Sequence, residues 1–273
     1  MFYDLRPSAT QANRETGGTK LMNSKTLTPW LTNSKLNARA KLRLFCFPYA
    51  GGSSLIFRNW QGNLPPAVEV CPVQLPGRGN RLREPVFTQA QPLVRALAEG
   101  LLPHVDVPFA FFGHSMGAML SFELARHLRR EHNVEPRHLF VSGRRAPQVP
   151  SFEAPTYDLP TAEFIEALRH LNGTPPEVLS QSELMQKMIP LLRGDFEVCD
   201  TYSYTPEPPL SCPITVFGGL QDTGVKREHL DAWREQTGAA FFLRMLPGDH
   251  FFLNKEQAVL LRLLAKELYP VIM

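Results

Sequence analysis

The sequence predicts an α/β domain, a mostly parallel sheet with helices on both faces. Two observations carry this. Apolar strand-like runs alternate with helical periodicities along most of the chain, and several of those runs lack the polar alternation of a half-exposed strand, as expected where both faces are covered. A third observation, the length of 273 residues with 43% hydrophobic content, allows one large domain with a sizeable core.

Taken in order, residues 1–41 are rich in Thr, Asn, Ser and Arg without a sustained period and read as a flexible extension, with Met22 as an alternative start. The domain is expected over 42–273. Strands are predicted at Leu42–Tyr49, Val68–Leu75, Phe109–Phe112, His138–Ser142, Ile214–Phe217 and Phe241–Leu246, and helices over about 88–102, 116–131, 226–237 and 255–268. The interval between Gly143 and Pro213 breaks the rhythm. It shows two amphipathic helical stretches, one carrying Phe164, Ile165, Leu168 and Leu171 and stopping at Gly173, the other opening on Ser180 and Glu183 at capping-box spacing. Helices inserted late in an α/β sheet suggest a lid over an active site, placed at about 151–205. An ordinary packing pair is the alternative.

Charge and cysteine usage exclude several classes. The net charge is +3, and the first 41 residues hold seven basic side chains against Asp4 and Glu15, so the body is slightly acidic. That is not the electrostatic footprint of a nucleic-acid binder. Cys46, Cys71, Cys199 and Cys212 show no metal or redox spacing. No apolar run approaches the ~18 residues of a membrane span, and no secretory h-region is visible. A cytoplasmic, soluble protein is expected, acting as a monomer and without metal.

Gly113-His114-Ser115-Met116-Gly117 has the form G-x-S-x-G. By composition it matches in about one chain in ten of this length, so its context decides. It follows the short apolar run Phe109–Phe112 and precedes a helical pattern, the setting of a nucleophile elbow in which Ser115 occupies a strained strand-to-helix turn. A serine nucleophile needs a base, and the base an orienting carboxylate. In the α/β-hydrolase arrangement the chain order is Ser, acid, His. His250, after a strand and Pro247-Gly248, lands on a loop at a strand's C-terminal end, whereas His170 and His229 sit inside helical patterns and His114 reads as local packing. Asp222 closes the loop after Ile214–Phe217. Asp249 is too near His250 in sequence to reach its ring, and Asp195 and Asp200 fall in the insertion, where solvated surface positions are expected. Two oxyanion N–H donors are expected, one from Met116 and one from the turn Phe47-Pro48-Tyr49-Ala50-Gly51-Gly52.

These segments, with Leu75-Pro76-Gly77-Arg78, Ser142-Gly143-Arg144-Arg145-Ala146-Pro147, Gly218-Gly219 and Gly248-Asp249-His250-Phe251-Phe252, resemble the type II thioesterases of polyketide and nonribosomal peptide synthesis from about Leu42 to Leu268. The resemblance implies hydrolysis of acyl groups from the phosphopantetheine thiol of carrier-protein domains, with no cofactor of the enzyme's own. It carries Ser115 over as nucleophile, His250 as base and Asp222 as its orienter. It assigns the oxyanion donors to Ala50 and Met116, and reads the insertion as a mobile helical lid. Gly79-Asn80 and Thr223 depart from the family pattern. A carboxylesterase, an acyltransferase or a product-releasing thioesterase with the same triad, and a catalytically idle carrier-binding protein, are the alternatives.

Overall fold

The computed structural model describes residues 28–33, 36–151, 154–170 and 182–273. Six strands, β1 (Leu42–Phe47), β2 (Val68–Pro72), β3 (Phe109–His114), β4 (Leu139–Ser142), β5 (Ile214–Gly219) and β6 (Phe241–Leu246), form one sheet in the order β2-β1-β3-β4-β5-β6. Every neighbouring pair is parallel. The expected α/β architecture is present, and all six strands begin within a residue of the expected positions.

Both faces are filled by the alternation of the pleat. Phe45, Phe47, Phe109, Phe111, Leu139 and Val141 face helices α1 (Ala90–Leu101) and α2 (Met116–His132). Leu42, Leu44, Cys46, Ala110, Phe112 and Phe140 face the last helix, here α7 (Gln257–Ile272), through Leu260, Leu261, Leu264 and Leu268. His138 is a polar side chain that enters this interior with a partner: its ring stacks on Phe140 at 4.1 Å and lies 2.8 Å from Thr215 Oγ1. The expected helix over 226–237 divides into α5 (Arg227–Asp231) and a 3₁₀ segment, Ala232–Gln236. α6 is the short Phe252–Lys255.

The insertion between β4 and β5 contains α3 (Thr161–His170) and α4 (Ser182–Asp200). They share a small core of Phe164, Leu168, Met185 and Leu192. Arg193 fastens the pair by donating to the carbonyls of Tyr157 and Leu159 while lying over the Phe164 ring. Leu171, Gly173 and Ser180 lie outside the described residues.

The N-terminal segment also departs from expectation. Part of the segment read as a flexible extension is docked on the sheet. Leu31 bridges Val73 in antiparallel sense, Gln74 N–H donates to Trp30 O, and Asn33 Nδ2 donates to Val70 O. Trp30 is 7% exposed and lies over Gly100, where any Cβ would meet its ring, with the Arg81 guanidinium stacked at 4.1 Å. Two apolar residues in a polar stretch suffice to strap the β2 edge, because backbone pairing needs no periodicity.

Candidate active site

The chain runs from β1 to β2 on one side and then returns to place β3 on the other. Loops leaving the C-terminal ends of β1 and β3 therefore diverge, and in open α/β sheets such a point forms a crevice. Ser115 stands there, between β3 and α2, with φ 53° and ψ −113°. Only one other non-glycine among the described residues has positive φ, Asn133, which caps α2. The flanking glycines explain how the turn fits. A Cβ on Gly113 would lie 2.1 Å from Gly117 O, and one on Gly117 would lie 2.2 Å from Phe47 O. Helix α2 thus starts directly against the main chain of β1. The Ser115 N–H is held by Ser142 O at 2.8 Å. Met116 opens α2, so its N–H has no acceptor within the helix.

Asp222 and His250 arrive from the loops after β5 and β6. Leu220 N–H donates to Leu246 O and Gln221 N–H to Gly248 O, which sews the two loops together. His250 Nδ1 lies 2.7 Å from Asp222 Oδ2. The other carboxylate oxygen, Oδ1, accepts from Gly224 and Val225 N–H, both at 3.0 Å. Burial pushes the Asp222 carboxyl up, but the His250 hydrogen bond and charge and the two amides outweigh it, so its pKa lies below the ordinary carboxylate value. Asp249 instead accepts from Phe251 N–H. Ser115 Oγ makes no hydrogen bond to His250 here; such contacts are commonly long before a substrate binds.

His114 is fully buried behind this pair. Its ring lies 5.1 Å from that of His250 and is enclosed by Tyr49, Phe251 and Phe252, with Nδ1 2.8 Å from Ser142 Oγ. Burial above all, then the neighbouring His250 charge, lowers its pKa far below the ordinary imidazole value. It is a neutral wall for the His250 ring.

Tyr49 O accepts from Gly52 N–H at 2.8 Å, and Gly51 has φ +75° while Ala50 does not have positive φ. That is a type II turn with glycine at its third position. Gly51 N–H is taken by Asp195 Oδ2 at 2.7 Å. Ala50 N–H has no partner among the described residues, and Ala50 is half-buried against the core beneath α1 and α2.

Asp195 corrects the sequence reading. It is 3% exposed rather than solvated, and both its oxygens face Arg78, Nη1 to Oδ2 and Nη2 to Oδ1 at 2.7 Å each. The signal was present, because Met188, Leu192, Asp195 and Cys199 follow the helical spacing of an inward face. Asp200 is exposed as expected and accepts from Thr156 and Tyr157 ahead of α3. A separate cavity of about 330 Å³ lies beside the strap, lined by Trp30, Arg81, Val86 and Phe87. None of the residues expected to act in catalysis lines it.

A thioesterase-domain family profile matches residues 42–268. The chain belongs to the thioesterase family. The gramicidin S biosynthesis protein GrsT of Aneurinibacillus migulanus is 49% identical over 243 residues, 89% of this chain and 95% of that protein. The linear gramicidin dehydrogenase LgrE of Brevibacillus parabrevis is 50% identical over 242 residues, covering 88% and 92% of the two chains. LgrE's name describes a redox enzyme, whereas the family match of this chain is to thioesterases. Among solved structures, the RedJ thioesterase of the prodiginine pathway in Streptomyces coelicolor superposes with a TM-score of 0.80 at 44% identity, covering 84% of this chain and 91% of its own. The type II thioesterase BorB of the borrelidin cluster gives 0.81 at 34% identity, covering 89% and 99%. This thioesterase is therefore an α/β hydrolase and a thioester hydrolase. No helix among the described residues is long and apolar enough to cross a membrane.

Proposed function

We propose that this thioesterase releases acyl groups from the phosphopantetheine arms of carrier-protein domains, clearing stalled or misprimed modular synthases. Ser115 is the nucleophile, His250 the general base and Asp222 its orienter, with Ala50 and Met116 N–H as oxyanion donors. The observation that carries the reading is the 2.7 Å Asp222–His250 contact, with the His250 ring 5.1 Å from that of His114, whose chain neighbour Ser115 has positive φ. The relatives support this reading, since GrsT, RedJ and BorB are named for the biosynthesis of gramicidin S, prodiginine and borrelidin.

In this mechanism Ser115 Oγ attacks the thioester carbonyl carbon while His250 Nε2 accepts its proton. The carbonyl oxygen takes the negative charge at the two N–H groups, where preorganised dipoles act without reorganisation. The C–S bond then breaks, and the departing sulfur takes the proton from His250. With a thiol pKa of about 8.5, this leaving group needs less acid assistance than an alkoxide. Water enters, gives a proton to His250 and attacks the acyl-serine. Collapse releases the carboxylic acid and restores the Ser115 hydroxyl. The chain's own side chains and water suffice, so no cofactor is required.

The test is hydrolysis of an acetyl-phosphopantetheinyl carrier protein beside acetyl-CoA and p-nitrophenyl acetate, by the wild type and Ser115→Ala. Fast release from the carrier that depends on Ser115 is expected. Turnover of the oxyester alone would leave the hydrolase but remove the carrier-directed role.

A further inference from the structure

The buried pair Arg78–Asp195 joins three parts of the site. Asp195 belongs to α4 of the insertion, Arg78 to the loop after β2, and Gly51 to the turn after β1. Asp195 Oδ2 accepts from both Gly51 N–H and Arg78 Nη1, Asp195 Oδ1 accepts from Arg78 Nη2, and Arg78 Nη1 also donates to Gly52 O at 3.0 Å. Each side chain is 5% exposed. A buried carboxylate is costly unless paired and hydrogen-bonded. Here both of its oxygens are used, by a planar fork and a backbone amide.

What this cluster fixes is specific. The Ala50 N–H belongs to the Tyr49–Ala50 peptide, immediately before the peptide that Asp195 holds, so its placement follows from where the turn as a whole is pinned. The central peptide here is Ala50–Gly51, and its N–H is the one bound to Asp195. The next anchored group, the Gly52 carbonyl, is held by Arg78. Leu192, on the same helix as Asp195, closes over the turn, with its Cδ2 2.5 Å from where a Gly51 Cβ would stand.

We infer that Asp195 and Arg78 are positioning residues that hold the Tyr49–Gly52 turn, through the Gly51 amide and the Gly52 carbonyl, where it presents Ala50 N–H to the oxyanion. Oxyanion stabilisation is thereby made conditional on α4 being seated. This rests on the reading of Ala50 as an oxyanion donor in thioester hydrolysis. The insertion is then more than a cover. Its helix α4 supplies the carboxylate that sets the turn, and lifting α4 withdraws it.

The experiment compares wild type, Asp195→Asn and Arg78→Lys, each normalised by active-site titration. Steady-state hydrolysis of acetyl-CoA is measured together with affinity for an alkyl trifluoromethyl ketone, which adds Ser115 Oγ to its carbonyl and leaves an oxyanion. Loss of one oxyanion donor lowers kcat by about 10²–10³, and a turn that is merely unlocked should lose about tenfold or more. The expected result for Asp195→Asn is a fall in kcat of that size, KM within about threefold, and ketone affinity reduced in parallel with kcat/KM. Arg78→Lys keeps the charge but not the fork, and should show the same pattern at smaller size; it carries the test if Asp195→Asn does not fold. The inference is overturned if kcat stays within twofold, or if kcat falls while ketone affinity does not. A wild type that fails to turn over any acyl thioester instead refutes the proposed function.

Discussion

Replacing Asp222 by asparagine tests the orientation of His250 with the turn left intact. Oδ1 of Asp222 accepts from Gly224 and Val225 N–H, while Oδ2 faces His250 Nδ1. An asparagine can satisfy both backbone donors only with its carbonyl oxygen at the Oδ1 position, which directs its NH₂ at Nδ1. That nitrogen must then accept, and the ring proton moves to Nε2, where no lone pair is left to take the Ser115 proton. The loop sets the amide's orientation, so the wrong tautomer is imposed rather than sampled. A loss of about 10⁴ in kcat/KM, or about 5.5 kcal/mol of barrier, follows from losing the base. KM should change little. Thermal unfolding should shift by only a few degrees, because the backbone bonds survive. The assay is hydrolysis of acetyl-CoA and of an acetylated carrier protein, alongside a melting curve. Activity of Asp222→Asn within tenfold of the wild type would refute the reasoning and require another orienting carboxylate.

Other perturbations are equally direct. Gly117→Ala places a methyl group against the Phe47 and Pro48 carbonyls, at 2.2 and 2.7 Å. Backbone cannot withdraw as a flexible side chain can, so a loss of about 1–3 kcal/mol in urea unfolding and displacement of Ser115 are expected; an unchanged midpoint with full activity would contradict this. Trp30→Ala should cost about 3 kcal/mol, near the lower end for emptying a core aromatic site, and urea unfolding of the full chain at wild-type stability would show the strap to be dispensable. Burial pushes the His138 imidazole down to about 4, so between about pH 6.5 and pH 4 the unfolded chain binds a proton that the folded chain refuses. Stability should thus be retained above pH 6.5 and fall on acidification through this window. His138→Gln should remove about one proton's worth of that slope near pH 5, and parallel slopes for both proteins would exclude His138 as a source.

The strands were legible because burial on both faces writes them as continuous apolar runs. Phe109–Phe112 and Ile214–Phe217 could hardly be anything else at that length. The placement of Ser115, Asp222 and His250 after the C-terminal ends of β3, β5 and β6 was legible for a related reason, as each follows such a run. Asp195 was misread because periodicity tells which face a residue occupies but not what meets it. Its partner Arg78 lies 117 positions away. Trp30 and Leu31 escaped for want of any period, since the strap is held by main-chain bonds and one large ring. The division of the expected 226–237 helix was equally hidden, because α and 3₁₀ turns place apolar side chains similarly over so short a stretch.

The strap at β2 also bears on how copies of this chain meet one another. A parallel sheet ends in two rows of unspent amides and carbonyls, and either can recruit a foreign strand. Leu31 and Asn33 occupy part of one row. At the opposite margin Arg234 and Arg244 lie over Phe241 and Phe242 of β6. An approaching strand would have to displace native hydrogen bonds at the first margin and desolvate guanidinium groups at the second. Part of the first margin is thus occupied and the second carries charge, and both raise the cost of extending the sheet with a foreign strand.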